Sequence, residues 1–186
     1  MKQSVWLGCL LLLVACVSHK EIIELPPDNK INNFDTSLQN RDNGWFYKGK
    51  PFSGYMIQSE LDGRVVYQLP IIRGKENGIA IGWYNTGEKL MERNFINGKK
   101  EGLCKQWWPN GNIRYLLNYK NDGYDGKELA FFPDGMKEQE SNYKDGKEEG
   151  LQSIWNKDGQ LISNYTIRNN KLYGVINVKS CLPGAH

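Results

Sequence analysis

Few side chains in this chain could do chemistry. Its 186 residues include four cysteines and only two histidines, His19 and His186, which lie near opposite ends. That removes most histidine-dependent catalysis and most zinc sites. The closest carboxylates in sequence are Glu148-Glu149 and Glu138-x-Glu140. Adjacent carboxylates of this kind are ordinarily solvated, and nothing nearby separates their roles into an acid and a base. No catalytic residue, cofactor or metal is expected. The 24 basic and 21 acidic residues leave a net charge of +3. That excess is too small and too mixed to make nucleic acid the expected partner.

Of the four cysteines, Cys16 has the context of a reacting group. Lys2 precedes an apolar run from Val5 to Ala15, too short to span a bilayer and arranged as an export signal. The run ends in Leu13-Val14-Ala15-Cys16, which resembles the bacterial lipobox. The resemblance implies a diacylglyceryl thioether on Cys16, cleavage after Ala15 and acylation, such as by palmitate, of the new amino terminus. Val17, in place of Asp, then implies the outer membrane of a two-membrane bacterium. Residues 1–15 are read as the signal peptide, and 16–45 as the lipidated cysteine with a polar tether broken by Pro26-Pro27-Asp28-Asn29. Within the tether only Glu21-Ile22-Ile23-Glu24-Leu25 has the composition of a short strand.

The remainder must hold itself together by repetition. Glycine is frequent, with 20 residues, and sixteen of them fall into three series. Gly54, Gly78, Gly102, Gly126, Gly150 and Gly174 are spaced by 24, as are Gly63, Gly87, Gly111, Gly135 and Gly159. A looser series is Gly49, Gly74, Gly98, Gly123, Gly146 and then Asn170. Two apolar series keep the same step: Tyr47, Ile71, Phe95, Tyr119, Tyr143 and Ile167, and Trp83, Trp107, Phe131 and Trp155. A fixed period of this length is the mark of a repeat architecture.

Each unit reads as a β-hairpin, with tips at Pro109-Asn110-Gly111, Pro133-Asp134-Gly135 and Lys157-Asp158-Gly159. Gly63, Gly87, Gly111, Gly135 and Gly159 are assigned as structural turn residues. A two-residue loop would set Trp107 on the same face as Arg114. A three-residue loop pairs Trp107 with Ile113 and Leu103 with Leu117, and the hydrophobic pattern favours it. The expected fold is all-β: an elongated antiparallel meander of stacked hairpins, a single twisted sheet, over 46–180, with a tail at 181–186. One face should carry the aromatic ladder. The other should carry polar residues such as Gln68, Glu92, Glu140 and Asn164. Cys104 and Cys181 should lie too far apart along such a rod to pair.

YKDGKEEGLQSIWNKDGQL (Tyr143 to Leu161) and FINGKKEGLCKQWWPNGNI (Phe95 to Ile113) resemble the bacterial variant of the MORN repeat. The resemblance covers about 130 residues and implies stacked β-hairpins in a twisted single sheet. It implies no catalytic residues. The family includes many bacterial proteins labelled as antitoxins.

The expectation for function is a non-enzymatic envelope lipoprotein, periplasmic or surface-facing, that binds or scaffolds a protein not identified by sequence. The alternative is an antitoxin or immunity-type protein that neutralises a toxin. Self-association is a further option. Tyr84, Trp108 and Phe132, opposite in face to the neighbouring Trp83, Trp107 and Phe131, are the candidate contact residues. The unpaired strand edge near Val175-Ile176-Asn177-Val178 is a second candidate.

Overall fold

The computed structural model describes residues 25–41 and 44–175. Cys16, Cys181 and residues 176–178 lie outside that part. Every described element is a strand. Five hairpins follow one another in a large open sheet: Gly54–Ser59 with Val65–Ile72, Gly78–Trp83 with Lys89–Ile96, Gly102–Trp107 with Ile113–Lys120, Gly126–Phe131 with Lys137–Lys144, and Gly150–Trp155 with Leu161–Arg168. Lys171–Val175 adds a further antiparallel strand at the C-terminal side. The chain therefore folds as the antiparallel meander of repeated hairpins that its glycine period implies.

The tips explain the period. In the third hairpin the Trp108 amide donates to the Asn112 carbonyl at 2.8 Å, and the Gly111 amide donates to the Trp108 carbonyl at 2.9 Å. That closes a three-residue loop, Pro109-Asn110-Gly111. The same pair of bonds recurs at Glu60/Gly63/Arg64, Tyr84/Gly87/Glu88, Phe132/Gly135/Met136 and Asn156/Gly159/Gln160. Gly111 has φ +83°, and a Cβ there would meet nothing within 4 Å. The cost of a side chain at Gly111 is therefore purely conformational. Gly111→Ala is expected to lower stability by about 1–2 kcal/mol, the penalty of the left-handed region, and Gly111→Asn to recover part of it. Urea denaturation checks this, and an alanine variant as stable as the wild type would contradict the turn assignment.

Just inside each tip the register slips. Trp107 is opposite Ile113, but Gln106 is opposite Tyr115, so Arg114 is an extra residue. Equivalent bulges follow Gln58, Gly82, Ala130 and Ile154. The expected partner of Leu103 was Leu117; the bulge gives Leu117 to Cys104 and pairs Leu103 with Asn118. A slip of one residue exchanges faces. The two aromatic series consequently lie on opposite sides of the sheet rather than on one. Ile71, Phe95, Tyr119, Tyr143 and Ile167 share the inner face with Ala80, Cys104 and Ala130. Trp83, Trp107, Phe131 and Trp155 share the outer face with Gln68, Glu92, Glu140 and Asn164.

The connections between hairpins are tight. Ile96 pairs with Lys99 across Asn97-Gly98, whose φ values are +51° and +83°. This is a two-residue type I′ turn. In the next unit Asn121 and Asp122 adopt it, at +49° and +70°, so Asp122 and not Gly123 holds the third-series place.

The apolar core is gathered at the N-terminal end. Leu38, Phe52, Met56, Leu69, Ile71 and Ala80 form it, with Trp45, Tyr47, Tyr67 and Phe95 packed around them. A small second sheet, Leu38–Arg41 with Gly44–Tyr47 and Lys50–Pro51, brings Leu38 and Tyr47 to this cluster, and Phe52 follows directly after it. Lys30–Asn32 pairs in parallel with Gly54–Ser59. The tether expected over 16–45 is thus corrected from Lys30 onward: the described residues there are folded and cap the first hairpin. Their signal is a pairing between distant segments, which local composition does not reveal. Farther along the inner face Leu117 is still buried, and the other buried residues become small or polar, among them Cys104, Ser141, Gln152 and Ser163.

Candidate functional site

Two of the three candidate contact residues tie neighbouring hairpins together. The Tyr84 hydroxyl donates to the Trp107 carbonyl at 2.7 Å, and Trp108 Nε1 donates to the Phe131 carbonyl at 2.9 Å. Each reaches the same point of the next unit. The Arg114 guanidinium lies 4.3 Å from the Trp108 ring centre and 5.1 Å from that of Tyr115. Asn110 and Asn112 both donate to the Pro133 carbonyl, at 2.7 and 2.8 Å. Tyr84, Trp108 and Phe132 are all half-buried. Phe132 has no polar end to make the equivalent bond.

A second set of ties was hidden from sequence reading. The Asn121 amide donates to Glu101 Oε2 at 2.9 Å, and Asn97, Asp145 and Asn169 donate to Asn77, Asp125 and Glu149 in the same way. Each acceptor lies 20 residues before the turn it holds. Glu101, and Glu149 of the carboxylate pair expected to be solvated, each satisfy the first amide of the next type I′ turn. The available signal was an Asn, Asp or Glu recurring every 24 residues beside the first glycine series.

Large apolar side chains do reach solvent on the outer face. Ile79, Leu103 and Leu151 occupy one position of the unit and are 53%, 44% and 47% exposed. At about 4.8 Å per strand, adjacent positions in this row are about 9.6 Å apart. Lys127 interrupts the row between Leu103 and Leu151. Ion pairs flank the row: Lys127 and Lys137 each lie 2.6 Å from Glu140, and Lys89 2.5 Å from Glu92. The hydrogen bond from Lys127, joined by that from Lys137, holds the Glu140 carboxyl below its ordinary value. Lys89 stands over Trp107 at 5.3 Å and Lys137 over Trp155 at 5.1 Å, so these rings are roofed by the preceding hairpin.

On the inner face Tyr119, Tyr124 and Tyr143 stack with centroids 4.8 and 5.1 Å apart. Burial, then Glu128 and Glu148, push the Tyr143 hydroxyl up to about 12. Burial and the neighbouring Tyr124 raise Tyr119 further. Burial also raises the Glu128 carboxyl and the Cys104 thiol. A thiol raised in this way is a packing residue rather than a nucleophile. A phenol with a raised value favours the protonated fold. That stability is fully present below the unfolded value of 10.0 and is lost as pH rises from there through about 12. Tyr143→Phe is expected to keep the ring stack and flatten the alkaline loss. Denaturation midpoints across that window measure it; an unchanged slope would contradict the assignment.

Among the described residues no group of three or more His, Cys, Asp or Glu is placed to hold a metal ion, and no helix is long and apolar enough to cross a membrane. Residues 100–121 and 124–145 match the family described as MORN repeat variant. These stretches span the whole of the third and fourth hairpins and reach the first residue of the turn after each. The remaining hairpins carry the same tips and bulges. No curated protein matches the chain.

Proposed function

We propose that this chain is a non-enzymatic repeat module of a bacterial cell envelope, anchored by lipid on Cys16, that binds a protein through the outer face of its sheet. The observation that carries the reading is the row Ile79, Leu103 and Leu151. Exposed apolar patches on a folded protein ordinarily mark a contact, and recurrence at one position of the unit makes this row, interrupted by Lys127, a surface rather than an isolated defect. MORN repeats in general serve as protein- or membrane-binding modules, which agrees with it. Tyr84 and Trp108 act here as ties between units; Phe132, half-buried and without a polar end for such a tie, stays a candidate contact residue.

The test is crosslinked capture from envelopes with the wild type and with Leu103→Ser/Leu151→Ser. These side chains are exposed, so the double variant should keep its β-sheet circular dichroism and thermal midpoint while losing its captured partner. Identical captured sets from both proteins would sink the outer-face reading. A captured toxic protein whose action is blocked would instead support the immunity-type role.

A further inference from the structure

Two opposite charges near the hairpin tips have no counter-charge within the chain. Arg114 is the extra residue of the third bulge, and Glu138 holds the same place in the fourth. Val66, Leu90 and Ile162 fill it in the other hairpins, so the fold requires no charge there. Both charged residues are half-buried, and the ion pairs among the described residues include neither. Arg114 Nε is buried without a hydrogen-bond partner, while the guanidinium is held against the rings of Trp108 and Tyr115. A buried donor left unmade is costlier than an apolar group in its place. The arginine is therefore not explained by the stability of the single chain.

The strand order sets these charges in a pattern. At the tip end of the inner face, successive strands and their ends carry Trp108, Arg114, Phe132, Glu138 and Asn156, about 4.8 Å apart. Leu90 precedes this row, and Ile162, which is 40% exposed, follows it. The row is complementary to itself about Phe132. Rotation of a second copy about a two-fold axis at Phe132 sets Arg114 against Glu138 twice, once on each side. The same rotation sets Trp108 against Asn156 and Leu90 against Ile162, and it lays Phe132 on its own counterpart. The spacing matches without adjustment, because both rows have the same repeat. A contact in which each residue meets its complement on an identical patch closes as a dimer.

We propose that this row is the interface of a two-fold dimer, with Arg114 of each copy paired to Glu138 of the other on either side of a Phe132–Phe132 contact. The counter-charge that Arg114 lacks is present, with the right sign and at the right step, on a second copy of the chain. Phe132, which has no polar end for a tie to the next hairpin, is covered in the same contact. The outer row of Ile79, Leu103 and Leu151 stays open in the dimer, so this inference does not rest on the partner binding proposed above.

Sedimentation of the full chain in mild detergent tests it. The wild type is expected to be a dimer that weakens as salt is added. Arg114→Glu and Glu138→Arg should each raise the dissociation constant about tenfold or more, because each sets like charges together on both sides of the axis. Arg114→Glu/Glu138→Arg should restore it, with the β-sheet circular dichroism retained throughout. Phe132→Cys reads the contact without altering either charge: it should form a disulfide between copies at position 132, whereas Leu103→Cys on the outer face should form none. A wild type that is monomeric at every concentration would overturn the proposal. So would charge reversals that leave the constant unchanged, or a double variant as weak as the single ones. Crosslinking from position 132 to a different envelope protein alone would assign the row to that protein and equally overturn the dimer. None of these outcomes bears on capture through Leu103 and Leu151.

Discussion

Replacing Cys16 with Ala is expected to shift the chain from the membrane fraction to the soluble fraction, or to leave it unprocessed with its signal attached. Each buried methylene of an acyl chain contributes about 0.8 kcal/mol, and two chains already suffice for stable anchoring. Among the described residues no helix can replace that anchor. Fractionation and the mass of the amino-terminal peptide decide the matter. A wild-type chain found in the soluble fraction without acyl mass would remove the anchor from the proposed function, while the outer-face binding row would stand unaffected.

Ile71→Ala is expected to be the most damaging conservative truncation in the described part. Ile71 is 0% exposed and sits in the cluster with Leu38, Phe52, Met56 and Leu69. Truncating a fully buried isoleucine costs about 2–5 kcal/mol. Ile167 holds the same place in the fifth unit but is only half-buried. Ile167→Ala should therefore cost clearly less. In an array where each unit contacts its neighbours, the first substitution should loosen the N-terminal end and the second only fray the other. Urea midpoints with hydrogen exchange by segment read both. Equal costs at the two positions would mean that the core is spread evenly along the sheet.

Much of the architecture was legible because turn chemistry is local. A left-handed backbone position needs glycine or asparagine, so a glycine period of 24 residues identifies the tips whatever surrounds them. The three-residue loop at Pro109-Asn110-Gly111 follows from the residue types that such a turn requires. The match of residues 100–121 and 124–145 to the MORN repeat variant rests on the same recurring residues.

Pairing between segments was not legible in this way. The bulge at Arg114 has no residue signature of its own, yet it moves Leu117 opposite Cys104 and sends the tryptophan series to the other face. The parallel strand Lys30–Asn32 and the burial of Leu38 depend on partners at Tyr55 to Ile57 and at Tyr47. Glu101 is an ordinary surface acid until folding brings the Asn121 amide to it. The sequence by itself determined where the chain turns and how often, because those are properties of single residues and their neighbours. The tertiary structure alone decided which face each ring occupies, where the core gathers and which apolar side chains reach solvent. Those depend on register and on contacts between segments, where a shift of one residue exchanges inside for outside.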